Sequence, residues 1–155
     1  MTPIELQGVD GLSDEDLKLE NQLCFPLYVC AREIVNAYRP FLDELGLTYT
    51  QYIALMVLWE EKKITVKALG VKLHLDSGTL TPLLKKLESK GLIVRERSSE
   101  DERSVLASIT NEGMDLKKKA LLIPTQMADC IEDFSIEEAD LLRTLLNKLI
   151  AALRK

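Results

Sequence analysis

The chain has 155 residues, 46% of them hydrophobic and 29% charged, and its formal net charge at pH 7 is −5. This balance is typical of a globular protein with a real core, and no run is apolar enough to span a membrane. Residues 1–8 lack the basic and apolar regions of a secretory signal, so we expect a cytoplasmic protein. Three cysteines and a single histidine, His74, argue against a disulfide framework, a metal site or a histidine-based triad, so we expect no cofactor and no enzyme.

The first third of the chain has a helical pattern. Residues 12–40 are predicted to be largely helical, and Pro40 is predicted to end that helix. Thr48 and Gln51 have the spacing of a capping box, which predicts a second helix from Tyr49 to about Glu61. The predicted core positions of this helix are Tyr52, Leu55, Met56 and Trp59.

Cys24 lies where the first helix has to begin or bend. Pro26 cannot donate a backbone hydrogen bond, so Cys24 is expected beside unpaired N–H groups, and this positive helix end favours a reactive thiolate. Tyr28 and Tyr38 return to the same helical face, where two phenols could stabilise the thiolate and orient a peroxide oxygen. Fourteen residues of helix span roughly 21 Å, however, so Tyr38 could reach only the Cys24 of an antiparallel partner. The alternative is that Cys24 is a small hydrophobe among core aromatic residues.

Two further cysteines have different expected roles. Cys30 lies six residues beyond Cys24 on another helical face, so we expect it to be a packing residue. Cys130 lies far along the chain and is the candidate resolving thiol.

The centre of the chain predicts two helices joined by a tight turn. Thr65 can open a helix that runs to His74, Asp76 or Ser77 can cap the next one, and Gly91 can end it. The second helix has a leucine face and, opposite, a small, hydroxylated and basic face that suits a DNA major groove. The leucines are Leu80, Leu83, Leu84 and Leu87, and the other face carries Gly78, Thr81, Pro82, Lys85 and Ser89, with Lys86 on the flank.

Two short strands follow, at 92–97 and 104–109, joined by the polar segment 98–103. Helix, turn, helix and hairpin form the winged helix-turn-helix layout. Residues 62–97 hold nine Lys or Arg against three Asp or Glu, a net charge of +6 in an acidic chain. A local patch of this kind indicates a polyanion-binding surface, although any one of these lysines alone is better explained as solvated surface.

The C-terminal part predicts two more helices. Thr110 can cap a long helix to about Glu132, interrupted or bent at Pro124, and Ser135 begins a capping box for a helix that runs to the C-terminus. Its leucine stripe is wider than one small domain can cover, which favours a homodimer joined through the first and last helices over an ordinary intrachain core. The stripe comprises Leu142, Leu145, Leu146, Leu149, Ile150 and Leu153.

Four segments together resemble the MarR regulators and, within them, the organic-hydroperoxide-sensing repressors. They are Leu19-Glu-Asn-Gln-Leu-Cys24, Leu47-Thr-Tyr-Thr-Gln-Tyr52, Leu75-Asp-Ser-Gly-Thr-Leu-Thr-Pro82 and Asp101-Glu-Arg-Ser104. The resemblance implies a mainly α fold with a small β-hairpin wing. It also implies a homodimer whose reduced form binds palindromic DNA and whose oxidised form lets go. The expected regions of the single domain are sensor and dimerisation helices at 12–61, the winged helix-turn-helix at 62–109 and further dimerisation helices at 110–155.

The resemblance also implies roles for individual residues. Cys24 matches the peroxidatic cysteine, Tyr28 and Tyr38 match tyrosines that bond this sulfur from the other subunit, and Tyr49 matches a further tyrosine of the pocket. Cys130 lies near the second thiol of the two-cysteine members. Pro26 departs from the family pattern.

In the DNA-binding region, Arg103 matches a wing arginine that enters the minor groove, oriented by Asp101. The full set of expected DNA-binding residues is Ser77, Thr79, Thr81, Lys85, Lys86, Arg95, Asp101 and Arg103.

Other functions remain open at this stage. A regulator gated by a phenolic ligand would keep responding after Cys24→Ser, and regulators that respond to broader oxidants share the same cysteine. A thiol peroxidase would need a second acid-base group beside Cys24. A winged helix that contacts only proteins would not need the +6 patch.

Overall fold

The computed structural model describes residues 13–99, 101 and 103–154, and its contacts divide the chain into two compact units, Met1–Ala37 and Tyr38–Lys155. Residue 12, where the predicted N-terminal region starts, and positions 100 and 102 of the predicted wing tip lie outside the described residues. Across the described ranges, no helix is both long and apolar enough to span a membrane.

The N-terminal unit begins with two 3-10 turns, Asp14–Leu17 and Leu19–Asn21, before helix α1, Cys24–Asp43. The predicted largely helical pattern is therefore present as two short 3-10 helices ahead of Cys24 and as an α-helix from Cys24 onward. Ahead of Cys24, polar side chains bond to the backbone: the Asn21 amide donates to the Glu15 carbonyl at 2.7 Å, and the Gln22 amide donates to the Asp16 carbonyl at 2.5 Å. Hydrogen bonds from side chains to the backbone compete with the hydrogen bonds of a continuous α-helix and so favour short turns.

Helix α1 passes through Pro40, so the prediction that this proline ends the helix is wrong. A proline this close to the helix end removes one hydrogen bond, and Leu42, only 1% exposed, anchors the last turn in the core. The chain leaves the helix at Gly46, which has a φ of +65°. There the Gly46 N–H donates to the Asp43 carbonyl at 3.0 Å, and glycine takes this left-handed conformation without strain.

Helix α2, Tyr49–Glu61, has the predicted bounds. The Gln51 N–H donates to the Thr48 hydroxyl at 3.3 Å, and the Thr48 N–H donates to the Gln51 side chain at 3.2 Å, which confirms the capping box. Met56 is 47% exposed, so its predicted core position is wrong, because this apolar helix is buried on one part of its surface only. The other three predicted core residues are buried: Tyr52, Leu55 and Trp59.

The predicted helix-turn-helix is confirmed as helix α3, Val66–Leu73, and helix α4, Ser77–Ser89. Thr65 caps α3 by accepting the Ala68 N–H at 3.1 Å. A Cβ on Gly70 would lie 2.9 Å from the Leu75 carbonyl, so glycine allows α3 to pack closely against the turn before α4. Gly91, with a φ of +71°, follows the end of α4 as predicted.

A three-stranded antiparallel sheet lies beside these helices, in the order β1, β3, β2. Strands β2, Ile93–Arg97, and β3, Val105–Ile109, form the predicted hairpin. Strand β1, Lys63–Thr65, was not predicted, because three residues are too few for an alternating pattern. It pairs Ile64 with the fully buried Ala107 of β3 and so joins the hairpin to the start of α3.

The C-terminal helices are α5, Asn111–Ala120, α6, Ile123–Asp129, and α7, Ile136–Leu153. The predicted interruption is confirmed, with Pro124 in the first turn of α6, but α6 ends before the predicted Glu132. Thr110 caps α5, and Ser135 opens the predicted capping box of α7. No residue of α7 is buried: Leu146 and Leu149 are half-buried, and the rest of the leucine stripe is exposed.

Candidate nucleic-acid interface and cysteine sensor

Helix α4 presents the predicted two faces. Its leucine face is buried, whereas Ser77, Thr81, Lys85 and Lys86 are exposed. Asp76 caps the helix by accepting the Thr79 backbone N–H and the Thr79 hydroxyl, each at 2.9 Å. These two bonds lower the pKa of Asp76, so the cap carries its negative charge at neutral pH. Thr79 therefore donates its hydroxyl proton within the helix start and offers a ligand only its acceptor side.

The wing and the start of α4 face one groove of about 760 Å³. Ser77 and Arg103, both predicted to be DNA-binding, line it together with residues of α3 such as Lys67. His74, the left-handed C-cap of α3, also lines this groove and contacts Arg154. The structure thus brings the helix start, one wing arginine and the end of α3 to a common surface.

Asp101 organises the chain at the wing tip. Its carboxylate accepts the Ser104 hydroxyl at 2.8 Å and the Arg103 backbone N–H at 3.0 Å, and both bonds lower the pKa of Asp101. The Ser98 N–H donates to the Ser104 carbonyl at 2.8 Å and closes the hairpin. Asp101 contacts the backbone of Arg103, so any orienting effect on the exposed guanidinium acts through that backbone.

Arg95 pairs with Glu88 of α4, a contact that the sequence did not predict. Its guanidinium donates twice to one Glu88 carboxylate oxygen, at 2.7 and 3.1 Å, and its backbone N–H donates to the other at 3.1 Å. The Arg95 side chain is 22% exposed. Two of its guanidinium N–H groups are therefore engaged by α4, and its contact with DNA stays a prediction.

A smaller notch of about 250 Å³ lies between the starts of α2 and α4. Lys86 lines it with the hydroxylated side chains of Thr48 and Thr50, which were not among the predicted site residues. Sequence reasoning assigned Thr48 only a capping role, and no local pattern indicates that α2 begins next to the exposed side of α4.

Cys24 occupies the first position of α1 and is exposed, with Pro26 in the same turn. The first helix was predicted either to begin or to bend at this point, and the structure shows that it begins there. Tyr28 is 62% exposed, and the Arg32 guanidinium lies 5.8 Å from its ring centroid. Cys30 is exposed as well, so its predicted packing role is wrong within this chain.

Tyr38 belongs to an aromatic cluster in the second unit. Its ring centroid lies 5.1 Å from that of Tyr49 and 6.0 Å from that of Tyr52, and Trp59 lies 6.1 Å beyond Tyr52. Burial raises the pKa of Tyr38, and Tyr49 raises it further, so this phenol keeps its proton at neutral pH and can donate it in a hydrogen bond. Two of the predicted pocket tyrosines, Tyr38 and Tyr49, thus lie in contact.

The candidate resolving thiol, Cys130, is the C-cap of α6 and is exposed. All three cysteines are free thiols. Among the residues that the structure describes, no group of His, Cys, Asp and Glu has an arrangement that could hold a metal ion.

A helix-turn-helix with an exposed hydroxylated and basic face, followed by a β-hairpin wing, defines the winged helix-turn-helix class. Comparison with known proteins agrees with this class. The family model of the SarA/Rot transcriptional regulators matches residues 36–120. The organic hydroperoxide resistance transcriptional regulator of Bacillus subtilis is 58% identical over 110 residues, which are 71% of this chain and 75% of that protein.

Solved structures of AbfR, a Staphylococcus epidermidis protein, are also similar. Reduced AbfR bound to DNA has a TM-score of 0.76 and 32% identity, and the match covers 93% of this chain and 100% of that one. Overoxidised AbfR bound to DNA has a TM-score of 0.70 and 34% identity, and the match covers 89% of this chain and 99% of that one. Disulfide-formed AbfR has a TM-score of 0.60 and 33% identity, and the match covers 91% of this chain and 93% of that one. A mutant E. coli MarR complexed with operator DNA has a TM-score of 0.76 and 25% identity, covering 82% and 92%.

The chain therefore belongs to the SarA/Rot and MarR type of transcriptional regulators, and it is a transcriptional regulator related to the organic hydroperoxide resistance regulator.

Proposed function

We propose that the protein is a cytoplasmic redox-sensing repressor, not an enzyme, which binds palindromic operator DNA as a reduced homodimer and is released when an organic hydroperoxide oxidises Cys24. The observation that carries the proposal is the exposed Cys24 thiol in the first turn of α1, in a chain whose second unit is a winged helix with a basic exposed face. The identity with the Bacillus subtilis regulator supports an organic hydroperoxide as the signal.

On the DNA side, α4 enters the major groove and the wing enters the adjacent minor groove. Short side chains at Ser77 and Thr81 let the backbone approach base edges, while Lys85 and Lys86 neutralise phosphates. Arg103 extends from the wing tip that Asp101 holds, and a narrow minor groove attracts such a cation. In two relatives the same fold is bound to DNA, AbfR and MarR, which supports this arrangement.

On the sensor side, the Cys24 thiolate attacks the outer oxygen of the hydroperoxide. The O–O bond breaks, the alkoxide takes a proton and leaves as an alcohol, and the sulfur becomes a sulfenic acid after a two-electron oxidation. Tyr28 and Tyr38 of the partner subunit donate hydrogen bonds to the sulfur and the peroxide, with Tyr49 beside them. The raised pKa of Tyr38 supports this role, since a phenolate could not donate.

The sulfenic acid then condenses with a thiol, either Cys130 of the partner or a small thiol, to form a disulfide and water. In the relative AbfR, an overoxidised form is bound to DNA and a separate disulfide form exists. We therefore propose that the disulfide, and not over-oxidation of Cys24, produces the state that releases DNA.

Release of DNA requires that the dimer can place its two reading helices in two different arrangements. We propose that residues 12–61 and 110–155 form the dimer and sensor regions, and that 62–109 reads DNA. The exposed leucine stripe of α7 supports dimer formation. A disulfide between subunits moves the terminal helices and changes the one-turn spacing, ~34 Å, of the two reading helices. Near-complete reversal needs about 5.5 kcal/mol of bias, which a covalent bond can supply.

The test is operator binding by reduced protein during titration with an organic hydroperoxide. Wild type is expected to release DNA, Cys24→Ser is expected to stay bound, and Cys30→Ser, the matched control on the same helix, is expected to behave as wild type. Release of the Cys24→Ser variant, or binding by wild type throughout the titration, would contradict the proposal.

A ligand-gated regulator is the second candidate. A cavity of about 340 Å³ between α2 and the α5–α6 segment favours it, with Tyr52, Met56 and Trp59 on its wall and Glu60 and Lys117 also in its lining. A phenolic compound would fit this combination of an apolar wall and a few polar groups. Under this alternative, such a compound would release the Cys24→Ser variant from DNA as readily as wild type.

A further inference from the structure

The wing is tied to the reading helix by an ion pair in which two Arg95 guanidinium N–H groups donate to one Glu88 carboxylate oxygen. The Arg95 guanidinium of β2 lies along the Glu88 carboxylate of α4, and the Arg95 backbone N–H bonds to the same carboxylate. The Arg95 side chain holds the pKa of Glu88 below its ordinary value, so the pair is charged at neutral pH. The side chains are 22% and 37% exposed, which makes this pair less accessible than the Lys63–Glu96 pair, at 50% and 54%.

Arg95 lies on β2 between the buried start of the strand and its exposed end at the wing tip. Side chains at alternate positions of a strand share one face, so Ile93, Arg95 and Arg97 point the same way. Ile93 is 1% exposed, Arg95 is half-buried against Glu88, and Arg97 is exposed. The Arg95 side chain is thus the outermost attachment of this face of β2, which is itself an edge strand of the sheet.

A small change at this attachment moves the wing tip appreciably. Ser98, where the hairpin closes, lies three positions beyond Arg95, so the arm beyond the attachment is roughly 10 Å long. A swing of about 10° would displace the tip by roughly 2 Å, a third of the ~6 Å width of a minor groove. Arg103 lies next to Ser104, the hydrogen-bond partner of Ser98, and would move with the tip.

We infer that the Glu88–Arg95 pair is a positioning device that sets the angle of the wing on α4 and thereby places Arg103 in the minor groove. This inference deepens the proposed function and rests on it. In this inference neither Glu88 nor Arg95 needs to touch DNA, because Arg95 Nε–H and Nη2–H donate to Glu88 and hold the wing on α4.

A direct phosphate contact by Arg95 is the competing explanation. Replacing the arginine by lysine distinguishes a phosphate contact from a positioning pair. A lysine serves a phosphate as a point charge but lacks the planar guanidinium, whose Nε–H and Nη2–H both donate to Glu88 here. Arg95→Lys should therefore preserve a phosphate contact and weaken a positioning pair.

The experiment measures operator affinity of reduced full-length protein for Glu88→Ala, Arg95→Lys and Arg103→Ala, and for each of the first two combined with Arg103→Ala. Arg103→Ala is expected to weaken binding roughly 5- to 150-fold, the range for one lost arginine contact. Each pair variant alone is expected to weaken binding at least threefold. Added to Arg103→Ala, neither should cause further loss, because groups that act through one another are not additive. Glu96→Ala, one residue along β2 from Arg95, is the matched control and is expected to leave affinity unchanged.

Two outcomes would overturn the inference. If the losses from Glu88→Ala and Arg103→Ala multiply in the double variant, Glu88 does not act through Arg103. If Arg95→Lys binds as wild type does, the planar guanidinium is not needed. An unchanged affinity of Arg103→Ala would overturn both this inference and the wing contact of the proposed function. If Glu88→Ala does not fold, Arg95→Lys alone decides, since it keeps the charge and most of the side chain.

Discussion

Gly113 lies at a position of α5 where a Cβ atom has no room. A Cβ at this position would overlap the Leu92 carbonyl oxygen and would lie 2.6 Å from Ile109 Cδ1. The Trp59 indole N–H donates to the Gly113 carbonyl at 2.8 Å in a buried position. Helix α5 therefore begins in contact with both the sheet and α2, and only glycine fits there.

Gly113→Ala is expected to destabilise the protein by about 1–3 kcal/mol, the cost of forcing an extra carbon into a packed site. The measurement is urea unfolding at one fixed protein concentration, since a dimer's stability depends on concentration. Gly78→Ala is the control, because its nearest neighbour is the Asp76 side chain at 3.0 Å. Alanine there is expected to be neutral or stabilising by up to about 1 kcal/mol. Equal effects of the two substitutions would contradict this explanation.

At the residue scale, capping was the most predictable feature. Thr48, Thr65, Asp76 and Ser135 cap helices as predicted, because a cap depends on a few neighbouring residues. The roles of Met56 and Cys30 were misjudged, because each depends on which distant element lies beside that side chain. The Glu88–Arg95 pair joins a helix to a strand, and no local spacing indicates it.

Helix α4 is the element whose exposed face the DNA-binding proposal depends on most. Lys85→Ala is expected to weaken binding to all DNA sequences about equally and to reduce the slope of log affinity against log salt by about 0.9 for each lost phosphate contact. The measurement is affinity at several salt concentrations. Lys118→Ala removes the same charge from α5, where the side chain is 79% exposed and pairs with Asp115, and is expected to leave the slope unchanged. A slope that responds equally to both changes would argue against α4 as the contact.

Most elements could be predicted because their periodic patterns are long enough to be distinctive. The bounds of α2 and of the reading helix follow from caps and leucine spacing. Strand β1 has three residues, and its pairing with β3 depends on the completed hairpin. The end of α1 was misplaced because the buried Leu42 outweighs a proline's single lost hydrogen bond.

At the scale of the whole molecule, the apolar face of α7 is the strongest indication of a dimer. Leu145 is 53% exposed and Leu142 is 37% exposed, and a contiguous stripe of this kind is typical of a surface that a partner covers.

Leu145→Glu is expected to convert the dimer into a monomer, because a carboxylate would be buried without a partner in the interface. Sedimentation equilibrium would then give half the wild-type mass, and operator affinity would fall because one subunit reads only one half-site. Thr144→Glu, on the opposite side of α7, is the matched control and should remain dimeric. A dimeric Leu145→Glu protein would place the interface elsewhere.

The winged helix-turn-helix as a whole was predictable, because its helix caps, its leucine spacing, its hairpin and its positive charge are all local features of residues 62–109. The tyrosine arrangement was only partly predictable. Contact between Tyr38 and Tyr49 joins two helices, and the sequence indicated it only through the resemblance to known regulators. Pairing between subunits depends on two chains, so periodicity within one chain cannot specify it.

The most direct test compares wild type with Cys130→Ser, following DNA binding and the oxidation state of Cys24 in the same sample by mass spectrometry. After hydroperoxide treatment, we expect the fraction of wild-type protein released from DNA to equal the fraction carrying a Cys24 disulfide. Cys130→Ser should gain oxygen at Cys24 yet stay bound, and should release once a small thiol is supplied. Wild-type dimer that carries the disulfide and still binds the operator as tightly as reduced protein would contradict the account.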